Sequence, residues 1–199
     1  MTPRMTDSES KKRIDDTLGA HLEVATAFRA ACAGVIGDIA EACVAALRNG
    51  GKVCFFGNGG SAADAQHFAA EFVVRFVRNR AALPAIAFTT DTSILTACSN
   101  DFGYEGVFAR QVEALCGPND VVVGISTSGT SGNVRRGLEA ARAKGAKTVA
   151  FTGESGGPCA EAADLALRVP SAVTARVQEC HLIAGHIVCD LAEIAFSEN

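Results

Sequence analysis

The chain has 199 residues, of which 48% are hydrophobic, 20% charged and 6% aromatic, and its formal net charge is -4. This composition excludes an intrinsically disordered chain and, at this length, predicts one compact domain. The acidic balance and the lack of a long basic cluster argue against a nucleic-acid partner.

The N-terminal segment and the cysteines indicate a cytoplasmic protein. Residues 1–10 carry acidic side chains where a secretory signal has its apolar core, so we expect no export signal. The longest stretch without a charged residue, 121–134, is rich in Gly, Ser and Thr, so we expect no transmembrane helix and no membrane partner. The eight cysteines are widely spaced, which favours reduced, buried thiols.

The N-terminal quarter of the chain has apolar residues at helical spacing. Two helices are predicted within residues 8–49, with a break near Gly34 and Gly37. After Gly50 and Gly51, short apolar runs alternate with helical segments. The predicted strands are 52–56, 84–88, 120–125, 146–151 and 164–169, and the predicted helices are 61–79, 104–115, 131–144 and 174–196.

Near-continuous apolar strands of this length are typical of a parallel sheet that is covered on both faces. The predicted fold class is therefore α/β, with a doubly wound, five-stranded parallel sheet flanked by helices. We expect a single domain over residues 1–199. Residues 1–49 form its helical N-terminal extension, and 50–199 form the α/β core with the C-terminal helix.

The first predicted strand runs into Gly57-Asn58-Gly59-Gly60-Ser61 and then into a helix. Unpaired backbone N–H groups and the helix dipole favour an anion at such a position. The loop has neither the spacing of a dinucleotide fingerprint nor the lysine of a nucleotide-triphosphate loop. A tight turn is an equally good explanation of its glycines.

The third predicted strand ends in Ser126-Thr127-Ser128-Gly129-Thr130-Ser131, again before a helix. Several hydroxyl and amide donors at the end of a strand predict a phosphate cradle. The alternative is a helix N-cap, which requires only one hydroxyl. Neither loop contains Arg or Lys, so an anion would be held by aligned neutral donors.

Two helices carry groups that could transfer a proton or bind a metal. His67 and Glu71 are four residues apart, which places them about 6 Å apart on one helix face, as in many surface pairs. Gln178 and His186 are eight residues apart, about 12 Å along the helix axis, and could only just meet at one ligand. A histidine in an apolar run such as that of His186 is often a core residue, and we interpret His181 and His21 as structural.

Five segments together carry a family resemblance: FGNGGSAADAQHFAAEF, CSNDFGYEGVFARQVEAL, GISTSGTSGNV, TGESGG and ARVQECHLIAGH. In this order they resemble the bacterial phosphoheptose isomerases, a family of sugar isomerase (SIS) domain proteins, over nearly the whole chain. The Ser-Thr-Ser loop alone indicates only the SIS superfamily. The helix with His67 and Glu71, together with Gln178 and His186, indicates the family. Ala175 departs from it, because some relatives carry an acidic residue there.

The resemblance implies an enzyme that isomerises sedoheptulose 7-phosphate to D-glycero-D-manno-heptose 7-phosphate through an enediol, in the biosynthesis of activated heptose and the lipopolysaccharide core. By analogy, Glu71 is the base and His186 the acid, and one zinc ion per subunit is held by His67, Glu71, Gln178 and His186. A zinc-bound carboxylate is, however, a poorer base than a free one. The substrate-binding residues implied are Asn58, Gly59, Gly60, Ser61, Glu71, Asn100, Asp101, Ser126, Thr127, Ser128, Ser131 and Gln178.

Asn100 and Asp101 are expected in a loop, where they would bind sugar hydroxyls or form a simple Asx turn. The alanine-rich first and last helices predict self-association, and the resemblance implies a homotetramer with its sites between subunits.

The main alternative function is a non-enzymatic SIS binding or assembly protein of the replication-initiator-associating type. Such proteins keep both loops but lack the final histidine, which is present here as His186. A SIS-domain etherase or hexosamine-type protein would need a longer chain.

Overall fold

The computed structural model describes residues 6–197. Residues 1–5 and 198–199 of the predicted domain, including part of the segment used to argue against an export signal, lie outside this range. In chain order the elements are α1 (Asp7–Arg48), β1 (Val53–Gly57), α2 (Gly60–Val73), β2 (Ala85–Ala87), α3 (Thr92–Phe102), a 3-10 turn (Tyr104–Gly106), α4 (Val107–Leu115), β3 (Val121–Ser126), α5 (Gly132–Ala143), β4 (Lys147–Thr152), α6 (Gly157–Glu161), β5 (Leu165–Arg168) and α7 (Thr174–Phe196).

The five strands form one parallel sheet in the order β2-β1-β3-β4-β5. All five predicted strands and the predicted fold class are thereby confirmed. The direction in which strands are added reverses between β1 and β3. From β1 the chain first adds β2 on one side, and then adds β3, β4 and β5 on the other side. In open parallel sheets, the crevice at the carboxyl ends of such strands is where ligands bind. The glycine-rich and hydroxyl-rich loops follow these two strands.

The sheet is covered on both faces. Alternate strand residues, such as Val53 and Phe55, pack with α1, α2 and α7 in one buried cluster. Their neighbours Cys54 and Phe56 pack with α3, α4, α5 and α6 in a second cluster. All eight cysteines are unpaired and buried, as predicted.

The N-terminal helix does not break at Gly34 and Gly37, so the prediction of two helices is wrong. A helical glycine costs only about 1 kcal/mol relative to alanine. The buried side chains Cys32, Ile36 and Ile39 form one stripe through this region and pack in the core. Burial of that stripe offsets the cost of the two glycines, and α1 runs uninterrupted for 42 residues.

By length and composition, α1 also qualifies as a candidate membrane span, with an 18-residue window of mean hydropathy 1.7. This differs from the sequence-based expectation that no segment would qualify. In the structure 39% of that window is buried, because residues such as Cys32, Ile36 and Ile39 pack in the core. Core helices of globular proteins pass the same test, so the finding is weak evidence for a membrane partner.

Two other helix predictions are corrected. The helix expected over 61–79 ends at Val73, because the next segment turns towards α7, where Glu193 accepts backbone N–H groups. The helix α3 was not predicted, since it follows β2 in a segment that was expected to be a loop. Its N-cap is Asp91, whose side chain accepts the N–H of Ile94, and its C-cap is Gly103, where φ is +82°. The helices α5 and α7 lie within a residue of their predicted bounds.

Candidate active site

The glycine-rich and hydroxyl-rich loops meet at the carboxyl ends of β1 and β3. The side-chain amides of Asn58 and Asn133 exchange two hydrogen bonds, each 2.9 Å long, and so join the two loops. The Tyr104 hydroxyl donates to the same Asn58 oxygen over 3.0 Å. Gly59 has a φ of +56°, a conformation that favours glycine, and α2 begins at Gly60. The two helix N-termini therefore open towards one common space.

The hydroxyl groups of the second loop contact one another. The Oγ atoms of Ser126 and Ser131 are 2.9 Å apart, and Ser128 Oγ lies 2.9 Å from Thr130 Oγ1. Ser131 is the N-cap residue of α5 by position, but its side chain makes no capping hydrogen bond. The N-cap alternative therefore does not account for these hydroxyls. Their arrangement beside the start of α5 suits an anion that accepts several neutral hydrogen bonds.

A second group of polar side chains lies between α2 and α7. The Nε2 atoms of His67 and His186 are 2.7 Å apart, and Glu71 Oε1 lies 3.7 Å from His67 Nε2. One of the two imidazoles must donate and the other accept in this contact. The Phe76 ring flanks His186 at a centroid distance of 5.4 Å. His186 thus faces His67, which differs from the core histidine bonded to a carbonyl that was the alternative.

Gln178 occupies a different position from His186. Its Nε2 donates to the Asp64 carboxylate, over 3.2 Å to Oδ2 and 3.3 Å to Oδ1. The side chain also packs over Gly60, where a Cβ would lie 2.5 Å from Gln178 Nε2. Burial raises the pKa of Asp64, although the hydrogen bond from Gln178 and the nearby His67 act in the opposite direction. Gln178 therefore contacts the start of α2, beside the glycine-rich loop.

Asp64 and Tyr104 were not among the predicted site residues. A usable signal existed for Asp64, because residues 64, 67 and 71 follow helical spacing and share one face of α2. Tyr104 had no comparable signal, because its contact with Asn58 joins elements that are far apart in the sequence.

Asn100 and Asp101 form part of the last turn of α3, so the prediction that they lie in a loop is wrong. Asn100 Nδ2 donates to Asp101 Oδ1 over 2.8 Å, and both residues are exposed. Within residues 6–197, no hydrogen bond joins either side chain to the two loops or to the histidine pair. Of the remaining predicted residues, Thr127 and Ser128 lie in the hydroxyl-rich loop as expected, and Ser61 lies in the first turn of α2.

The four residues predicted to bind zinc are divided between two places. His67 contacts both His186 and Glu71, while Gln178 pairs with Asp64. Among the residues described by the structure, no group of three or more His, Cys, Asp or Glu side chains is arranged to hold a metal ion. What the arrangement does provide is a carboxylate and imidazoles beside a cradle of neutral donors. Such groups can move protons on a bound anion that carries hydroxyl groups.

Comparisons with known proteins agree with this architecture. A family model described as SIS domain matches residues 19–153. The phosphoheptose isomerase of Aquifex aeolicus is 57% identical over 171 residues, which cover 86% of this chain and 90% of that protein. The phosphoheptose isomerase of Roseiflexus sp. is 55% identical over 186 residues, which cover 94% of each chain.

Two solved structures extend the comparison. The phosphoheptose isomerase of Francisella tularensis superposes with a TM-score of 0.90 at 37% identity, covering 96% of this chain and all of the other. The phosphoheptose isomerase of Neisseria gonorrhoeae gives a TM-score of 0.87 at 40% identity, covering 92% of this chain and 98% of the other.

Proposed function

The chain belongs to the SIS domain family, and we infer that within this family it is a phosphoheptose isomerase, which converts sedoheptulose 7-phosphate to D-glycero-D-manno-heptose 7-phosphate. The observation that carries this conclusion is 55% identity to a phosphoheptose isomerase over 94% of both chains. The non-enzymatic alternative is not favoured, because curated relatives at 52% and 57% identity bear the name of the enzyme. Heptose biosynthesis is the pathway that consumes this product.

We propose that the hydroxyl-rich loop and the start of α5 bind the substrate's phosphate. The hydroxyls of Ser126, Ser128 and Ser131 supply donors, and the helix N-terminus supplies backbone N–H groups. The amide pair of Asn58 and Asn133 fixes this loop relative to the glycine-rich loop. A phosphate held here leaves the sugar chain to extend towards α2 and α7.

We propose that Glu71 and His186 perform the proton transfers. Isomerisation moves a proton between neighbouring carbons and requires a base for the carbon and a donor for the oxygen. Glu71 is the base in this proposal, and its side chain is only 20% exposed, which limits competition from water. His186 is the acid, and its contact with His67 orients the ring over 2.7 Å.

We also propose that one Zn²⁺ per subunit binds to His67, Glu71 and His186, with Gln178 as the fourth ligand. Imidazole nitrogens and a carboxylate oxygen are donors that zinc prefers, and His67 Nε2 lies 2.7 Å from His186 Nε2 and 3.7 Å from Glu71 Oε1. Gln178 joins them only if it leaves Asp64, which now accepts its hydrogen bond. When bound, zinc would polarise the substrate carbonyl and stabilise negative charge on the enediolate.

We propose a cytoplasmic homotetramer with sites between subunits. Apolar side chains line the outer face of α7, and further ones lie along the first half of α1. These are Ile183, Ile187, Leu191 and Ile194 on α7, and Ile14, Leu18 and Leu22 on α1. Exposed apolar stripes of this kind are typical of faces that pack against another copy of the chain.

The test is conversion of sedoheptulose 7-phosphate by purified protein, followed by NMR, with and without prior removal of metal. We expect turnover by the unaltered protein and its loss in Glu71→Ala and in His186→Ala. Glu139→Gln and His21→Asn are matched controls, because Glu139 lies on α5 and pairs with Arg135, while His21 lies on α1 and pairs with Glu179. Absence of turnover by the unaltered protein, with or without added zinc, would refute the proposed function.

A further inference from the structure

A buried ion pair outside the site connects the two helices that carry the proposed acid and base. Arg80 Nε lies 3.3 Å from Glu193 Oε2, and the two side chains are only 1% and 0% exposed. Glu193 also accepts the backbone N–H groups of Phe76 and Val77, each over 2.7 Å, and that of Arg78. The carboxylate therefore fixes the segment that follows α2.

Arg80 satisfies backbone groups at the end of α2. Its guanidinium donates to the carbonyl of Glu71 over 2.8 Å and to that of Phe72 over 2.9 Å. The last carbonyls of a helix have no partner within the helix, so Arg80 supplies one for each. The helix ends at Val73, two residues after Glu71, and Arg80 holds the backbone carbonyl of Glu71 in this last turn.

The same pair also acts on the ring of His186. Glu193 and His186 are seven residues apart on α7 and thus share one face of the helix. Phe76, whose N–H donates to Glu193, places its ring against His186 at a centroid distance of 5.4 Å and an interplanar angle of 34°. The contacts run from Glu193 through Phe76 to His186, and from Arg80 to Glu71.

Burying two charges is costly, and a buried ion pair by itself adds little stability compared with apolar residues. Burial alone would raise the pKa of Glu193, but the three N–H groups and Arg80 hold it below its ordinary value. Glu193 therefore keeps its negative charge, and the backbone hydrogen bonds that it accepts all come from one segment, 76–78. Phe76 of that segment contacts His186, and Arg80 contacts Glu71.

We propose that Arg80 and Glu193 are positioning residues for the isomerisation, which fix the last turn of α2 through the Glu71 carbonyl and, through Phe76, the ring of His186. This inference rests on the proposed function, because it assumes that Glu71 and His186 transfer the protons. Neither Arg80 nor Glu193 needs to touch the substrate for this role. Misplacement of a reacting group by about 1 Å can lower a rate by about 100-fold.

The test compares Glu193→Gln with Asp120→Asn. Asp120 is a matched control, because it is also buried, pairs with Lys52 and accepts the N–H groups of Lys52 and Gly117. It lies where β3 begins, at the amino ends of the strands, whereas the site lies at their carboxyl ends. For Glu193→Gln we expect kcat to fall by at least about tenfold while KM changes by less than about threefold. For Asp120→Asn we expect kcat within about twofold of the unaltered protein, whatever its loss of stability.

A second readout is the NMR signal of the His186 ring in the protein without substrate. The signal should shift in Glu193→Gln and stay in place in Asp120→Asn. If Glu193→Gln does not fold, Phe76→Leu is the substitute, since it keeps the ion pair but removes the ring contact, and it should lower kcat and shift the same signal. An unchanged kcat and an unmoved His186 signal would overturn the proposal. Inactivity of the unaltered protein would instead refute the isomerase function, which the ring signal does not measure.

Discussion

Lowering the pH should destabilise the protein through His181, a histidine of α7 that the proposed mechanism does not use. His181 is 0% exposed, and its Nε2 lies 3.1 Å from the carbonyl oxygen of Thr152, to which it donates. Its Nδ1 is buried without a hydrogen-bond partner among the described residues. Protonation would place a proton and a charge on that nitrogen in an apolar environment. Burial accordingly lowers the pKa of His181 to about 4.

The direction in which stability changes with pH follows from the pKa of His181 in the folded and in the unfolded state. The unfolded chain takes up a proton near its ordinary pKa of about 6.5, whereas the folded protein resists until about pH 4. Because the unfolded state binds more protons between these values, stability falls as the pH falls through this window. From pH 7 to pH 5, His181 alone should cost about 2 kcal/mol of unfolding free energy per subunit.

Urea denaturation of the unaltered protein and of His181→Gln, at one fixed protein concentration, measures this contribution. Glutamine can donate to Thr152 but does not titrate. Between pH 7 and pH 5, the unfolding free energy of His181→Gln should therefore fall by about 2 kcal/mol less than that of the unaltered protein. Between pH 7 and pH 8, the unfolded histidine loses only about a quarter of a proton, so the two curves should be nearly parallel. Equal losses for both proteins below pH 7 would refute the reasoning, because the titration would then belong to other groups.

Three further outcomes follow from the contacts. Gly185→Ala should lower the free energy of unfolding by about 1–3 kcal/mol in urea titrations, because its Cβ would overlap the Phe68 ring, whereas Gly34→Ala, with no atom within 4 Å, should not lower it. Asn58→Ala should raise KM about tenfold by separating the two loops, and an unchanged KM in steady-state kinetics would contradict that role. His67→Ala should abolish stoichiometric zinc binding in calorimetry, and full retention of zinc would exclude the proposed ligand set.

The sheet and its two loops could be predicted because their signals are local. Runs such as Val121-Val122-Val123 are apolar and β-branched, and they are followed directly by glycines or hydroxyl residues that start a helix. Hydrophobic burial on both faces then selects a parallel sheet, and the strand order brings the loops after β1 and β3 together.

The errors in the helices come from contacts that are distant in sequence. Glu193 accepts N–H groups of the segment after α2, and this contact ends the helix. The sequence near residue 74 gives no indication of a partner about 120 residues away. The stripe of Cys32, Ile36 and Ile39 carries α1 through two glycines, because tertiary burial outweighs propensity. The N-cap of α3 at Asp91 is local, but its helix has only one buried residue, so its apolar pattern is weak.

The candidate site was predictable only in part for the same reason. Helical spacing correctly placed Glu71 near His67 on α2. Spacing within α7 could not show that Gln178 and His186 contact different turns of α2, one at Asp64 and the other at His67. Two turns of helix separate the two residues, so each meets its own partner within this chain.

Isomerisation in deuterated water is the measurement that tests the central claim most directly. If Glu71 removes a proton from carbon and an enediol forms, product made from sedoheptulose 7-phosphate should carry solvent deuterium at the carbon that was protonated, as seen by NMR. The conversion should be lost in Glu71→Gln and kept in Glu139→Gln. Full conversion without any deuterium in the product, or with undiminished rate in Glu71→Gln, would contradict the account.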